Sequence, residues 1–113
     1  MSPTAIAVIL SGLLTAVSPA AYAEPTPDQV AQSLGEMEWH ASVCHLPTAP
    51  LEAALDRYIQ RIQAGSLQAD HLRQEFLTGR AEYERILGRN MNCDGAAAQV
   101  ASIIAKTDQY RPR

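Results

Sequence analysis

Along the chain the apolar residues Val30, Leu34, Met37, Ala41 and Cys44 recur at spacings of four, three, four and three, which line up on one face of an α-helix. The segment Thr26-Pro27-Asp28-Gln29 just before this stripe has the form of a capping box. Thr26 is the N-cap, Pro27 takes the first helical position, Asp28 lies near the positive end of the helix dipole, and Gln29 reaches back. Pro47 stops this first helix. A second helix is expected over roughly 50 to 64, with Leu51, Leu55, Tyr58, Ile59 and Ile62 on one side and Glu52, Asp56, Arg57, Gln60 and Arg61 left for solvent. Gly65 stands where a left-handed C-cap would fall.

A third helix, capped by Ser66 or Asp70 and closed by Gly88, repeats the same spacing through Leu72, Phe76, Gly79, Tyr83 and Ile86. Gly79 in a core-facing slot costs roughly 1 kcal/mol relative to alanine. Either another backbone or a large ring comes close there, or the position is a tolerated weak point. After the polar turn "GRNMNCDG", with Asn92 or Asp94 as N-cap, a last helix aligns Cys93, Ala97, Val100 and Ile104, and the tail "DQYRPR" is expected to fray. No segment alternates as a strand would, and no repeat is visible. The pattern therefore predicts an all-α fold, a small four-helix bundle-like domain. Its expected core includes Leu34, Met37, Ala41, Phe76, Gly79 and Tyr83.

Ahead of these helices, residues 1–23 carry no charged side chain, an apolar run from Ala5 to Val17, Ser18-Pro19, and small residues at Ala21 and Ala23. This is the form of a secretory signal peptide cleaved after Ala23, although the usual basic residue near the start is missing. The run is shorter than the roughly 20 residues that span a bilayer, so no permanent membrane anchor is expected. Residues 24–113 then form one domain, periplasmic or secreted. All the formal charge lies in that part, 9 basic against 12 acidic residues, for a net charge of −3. Scattered Lys and Arg with net acidity exclude nucleic acid as an expected partner.

Export also changes the reading of Cys44 and Cys93, the only two cysteines. In an oxidising compartment they are expected to form a disulfide, two free buried thiols or a soft-metal pair being the alternative. Closing so long a loop restricts the unfolded chain by about 4 kcal/mol in the loop-entropy account. A domain this small buries a limited share of its surface and gains much from such a staple.

The stretch "LGEMEWHASVCHL", Leu34 to Leu46, holds a methionine, two histidines, a cysteine and the only tryptophan. Packing accounts for Met37, Trp39 and Cys44. His40 and His45, with Met91 brought near by the disulfide, are the residual metal candidates, since imidazole, thioether and thiolate suit copper. The disulfide would consume both thiolates, and no Cys-x-x-Cys-His haem motif occurs, so no metal and no cofactor is expected. His40 reads instead as the surface partner of Glu36 one turn away. There is no nucleophile elbow, no His-Glu-x-x-His and no phosphate-cradling glycine loop, and the carboxylates Glu36, Glu38, Glu52, Asp56, Glu82 and Glu84 fall mostly on wet faces. No catalytic residue is assigned and an enzyme is not expected.

The pattern Leu34-Gly35-x-Met37-x-Trp39, then Val43-Cys44, Phe76-x-x-Gly79, Tyr83 and Cys93, resembles a family of small exported alphaproteobacterial proteins with no established activity. Members look like L-G-x-L-H-Y-L-x-x-L-C-G, then F-N-x-G-Y, then a tyrosine and C-T. Glu38 stands where that family has histidine, and the stretch from Gly79 to Cys93 is longer here. The resemblance implies an exported helical domain with one disulfide and carries over no catalytic residue. In outline the chain is also similar to the acid-stress periplasmic chaperone, a short exported helical protein, without sharing a motif with it. These readings converge on a non-catalytic periplasmic binding or interaction protein, its partner an envelope or exported protein. A stress chaperone, or less readily a metal or ligand carrier, is the alternative.

Overall fold

Thr26 and Gln29 cap the first helix reciprocally in the structure, a computed structural model that describes residues 24–111. Thr26 Oγ1 accepts from the Gln29 amide at 3.2 Å and Gln29 Oε1 accepts from the Thr26 amide at 2.9 Å. The four helices are α1 (Pro27–Val43), α2 (Ala49–Arg61), α3 (Ser66–Leu87) and α4 (Ala96–Gln109), and among the described residues there is no strand. The segment read as a signal peptide lies outside the described residues.

Both α1 and α2 end in the same way. Leu46 N–H donates to Ala41 O at 2.8 Å and His45 N–H to Ser42 O, with His45 left-handed at φ 59°. Ala64 and Gln63 repeat this on Ile59 and Gln60, with Gln63 at φ 56°. These are Schellman closures. Gln63, and not Gly65, therefore carries the left-handed residue of the second turn, because α2 stops earlier than its pattern suggested. Gly65 is instead the extended N-cap of α3, in place of Ser66 or Asp70. Neither Asn92 nor Asp94 caps α4: the Asn92 side chain accepts from the Asp94 amide at 2.9 Å in a local turn, and Gly95 at φ 72° is the N-cap.

The helices run up, down, up and down. Asp28 faces His71 at one end of the α1–α3 contact and Trp39 reaches Gly88 at the other, so these two helices are parallel. α2 and α4 return antiparallel to them. α1 packs against all three other helices, whereas α3 and α4 do not touch each other. The close contact is α1 on α3, made possible by Gly35 and Gly79. A Cβ on Gly35 would lie 1.9 Å from Phe76 O, and one on Gly79 would lie 2.3 Å from Gln32 O. Backbone approach is thus the reason for a glycine in that core-facing slot.

Leu34, Ala41, Leu51 and Leu72 are fully buried, with Phe76 and Tyr58 close behind. Met37 is half-buried against this core and Tyr83 is half-buried, whereas Ile86, placed in the same stripe by its spacing, is 65% exposed. The stripe of α3 is therefore buried through Phe76 and Gly79 and opens to solvent over its last turn. At the other end of the domain residues 108–110 do not fray as expected. Asp108 and Gln109 stay helical, and the Tyr110 ring stands edge-on to Tyr58 at 6.5 Å. Arg61, assigned to solvent by pattern, is half-buried; its guanidinium donates to Thr107 O and Tyr110 O, carbonyls at the end of α4.

Cys44 and Cys93 are disulfide-bonded with a Cα–Cα distance of 5.6 Å, and there is no free cysteine. The bond ties the C-cap of α1 to the loop before α4.

Candidate functional site

A helix packed from three sides buries more than its apolar stripe. On α1 the covered surface extends from Val30 and Leu34 across Ala31, Gly35, Glu38 and Trp39. Glu38 and His40, both placed toward solvent by the sequence pattern, are each only 8% exposed. His40 is therefore no surface partner of Glu36, and its Nε2 is buried without a hydrogen-bond partner.

Glu38 sits one turn beyond Gly35, where the close α3 backbone brings Arg80 alongside. Arg80 Nε lies 3.0 Å from Glu38 Oε1, but the contact is an ion pair without hydrogen-bond alignment. The same guanidinium rests 5.1 Å from the centre of the Trp39 ring, with Arg89 at 5.8 Å, and Trp39 Nε1 donates to Gly88 O at 2.9 Å. From the first turn of α2, the Glu52 carboxyl neighbours that of Glu38. Burial raises the Glu38 pKa most, the neighbouring Glu52 carboxyl raises it further, and Arg80 opposes them; the result is pushed up to about 7.

Above this carboxyl pair opens a cleft of about 400 Å³ lined by Glu38, Glu52, Leu55, Asp56, Arg73, Phe76 and Leu77. Its floor is apolar, and Leu77 is 53% exposed at its edge. Arg73, the one cation of the lining, is turned toward Asp56 at 3.5 Å and Asp70 at 3.9 Å. The cleft can therefore accept a positive charge carried on an apolar body, the cation meeting the carboxylates and the stem covering Phe76 and Leu77.

A carboxyl that holds its proton more tightly when folded stabilises the fold as that proton is taken up. Glu38 contributes least above pH 7 and progressively more as the pH falls from about 7 toward 4.5. The His71 ring, raised by its hydrogen bond to Asp28 and the Asp28 charge, acts in the same direction near neutrality. Urea denaturation should therefore show greater stability at pH 5.5 than at pH 8, by about 1–2 kcal/mol. Glu38→Gln should remove most of the difference. Stability that fell with acidification over this range would mean that Glu38 is ionised and solvated.

The metal candidates stand in different surroundings, His40 being buried as described. His45 is exposed at the left-handed position after α1, Met91 is half-buried in the loop before Cys93, and both sulfurs of the cysteines are consumed. Among the described residues the one group of three or more His, Cys or carboxylate side chains with ligand atoms mutually within reach is Asp28, His71 and Glu75. Spacing alone marks only His71 and Glu75, one turn apart on α3. Asp28 joins them through the parallel pairing of α1 and α3, which no local pattern reveals.

The fold and its cleft define a disulfide-linked, up-down-up-down helical domain with an acid-lined apolar groove. No protein-family model matches the chain, and comparison with curated proteins and with solved structures finds no match either.

Proposed function

We propose that this chain is a non-catalytic binding protein of the periplasm or extracellular space, and that it holds an exported or envelope protein by a cation-bearing apolar segment seated between α1, α2 and α3. The cleft carries this reading: three carboxylates and one already paired arginine stand around an apolar floor. One observation agrees with the compartment: the disulfide suits an oxidising environment.

The acid-chaperone reading is less well supported, because such a protein loosens on acidification. The upward shifts of Glu38 and His71 both favour the folded state as the pH falls below about 7.

Panning the oxidised protein against a displayed random-peptide library tests the proposal. Enriched peptides should carry Lys or Arg among apolar residues, and their affinity should fall by roughly tenfold or more on Glu52→Lys, with an unchanged helical circular dichroism spectrum. Enrichment of acidic or uncharged peptides, or binding indifferent to both Glu52→Lys and Leu77→Ser, overturns it.

A further inference from the structure

We propose that Asp28, His71 and Glu75 form a binding site for a divalent transition-metal ion of the zinc type, bridging α1 and α3 at the end of the domain where both helices begin. Their ligand atoms lie within 4.8 Å of one another, close enough for a single ion to touch all three. His71 Nε2 already stands 3.1 and 3.0 Å from the two carboxylate oxygens of Asp28.

Each ligand is placed by something other than the cluster itself. His71 and Glu75 are four residues apart on α3, so their side chains project from the same face. Asp28 belongs to the first turn of α1, whose backbone is fixed by Pro27 and by the Thr26–Gln29 capping box. The two helices are held at a set distance by the backbone contacts of Gly35 and Gly79, so the third ligand does not depend on a loop. Gln32 Nε2 donates to Glu75 Oε1 at 2.6 Å, leaving the other carboxylate oxygen for an ion and serving as the outer partner that orients a ligand.

The donor set chooses the class of ion. One imidazole nitrogen with two carboxylate oxygens, and water in the remaining position, is a zinc-type set, and copper and nickel would compete in the usual order. Calcium and magnesium prefer all-oxygen sites and are poorly served by an imidazole. Two carboxylates with a neutral ring balance the two charges of the ion. The side chains of His71 and Asp28 are about half-exposed, so the ion enters from solvent without opening the fold.

Arrival of the ion must displace the proton that His71 shares with Asp28. If the ring is cationic, one proton leaves to solvent for each ion bound. If it is neutral, the proton moves to Nδ1 and Nε2 takes the metal. Because the proton and the ion compete for the same ring nitrogen, binding weakens with falling pH.

Titration calorimetry of the oxidised protein with zinc chloride, with nuclear magnetic resonance of the histidine rings, tests this directly. The expected result is one ion per chain in the micromolar range, with perturbation of the His71 ring signals. Binding should be lost on His71→Ala, weakened about tenfold on Gln32→Ala, and unchanged on His45→Asn. His71 and His45 are exposed and Gln32 is half-buried beside Gly79, so circular dichroism is used to verify the fold of each variant. Absence of binding at millimolar zinc, or zinc binding that survives His71→Ala, overturns the proposal.

Discussion

Gly35→Ala and Gly79→Ala should each destabilise the protein by about 2–4 kcal/mol, although the same substitution in a free helix would gain roughly 1 kcal/mol. The competing effects have opposite signs, so the measurement is decisive. A methyl on Gly35 would meet Phe76 O at 1.9 Å and one on Gly79 would meet Gln32 O at 2.3 Å, distances that no Cβ tolerates. The obstacle is a peptide carbonyl in a helix and not the tip of a side chain, so no rotamer change relieves it. α1 and α3 would have to separate by about an ångström along the seam that buries Ala31, Leu72 and Phe76. That separation forfeits dispersion contacts over its whole length. Gly65→Ala is the control, since nothing stands within 4 Å of its added Cβ and its φ of −69° suits any residue. It should stay within about 0.5 kcal/mol of the parent in urea denaturation. Equal effects at Gly35, Gly79 and Gly65 would mean that the helices are not in backbone contact.

Breaking the Cys44–Cys93 bond is the second large effect. Cys44→Ser, or reduction, should cost about 2–5 kcal/mol, in line with the roughly 4 kcal/mol by which closing the intervening loop restricts the unfolded chain. The architecture says where the loss is felt. α3 and α4 do not pack on each other, and the loop joining them, from Gly88 to Gly95, has Asn92, Cys93 and Asp94 exposed. Without the bond, α4 is held by its contacts with α1 and α2, by Arg61 on its last carbonyls, and by the exposed Arg57–Asp108 pair. An exposed ion pair of that kind adds little. Hydrogen exchange in the reduced protein should therefore accelerate first in Ala96–Gln109, while α1 and α3 remain protected. Oxidised and reduced forms of equal stability, or uniform acceleration across all four helices, would contradict this assignment.

Much of this fold was legible in the sequence because it is written in local chemistry. The capping box at Thr26, the stripe through Leu34 and Ala41, the helix stop near Gly88 and the single possible cysteine pair each depend on residues close in sequence or on elimination. What escaped was whatever depends on how many neighbours a helix has. Glu38 and His40 read as wet because periodicity marks apolar residues only, and α1 is covered from three sides. Gly35 carries no hydrophobic signal, so the deepest helix contact left no trace in the pattern apart from its counterpart Gly79. The partners of Glu38, at Glu52 and Arg80, come from two other helices. The same holds for Asp28 beside His71, a meeting that only parallel packing creates.

The contact at the two ends of the described chain has a practical meaning. The Arg111 amide donates to the Glu24 carboxylate at 3.1 Å, so the backbone leaves the domain beside the point where it enters. Such a unit can be spliced into a surface loop of a host protein, or closed head to tail and reopened at the turn around Gln63, without stretching any helix. A carrier fused to either end would emerge on the same edge, and paired fluorophores attached to both ends would report any opening of the bundle as a change in their separation.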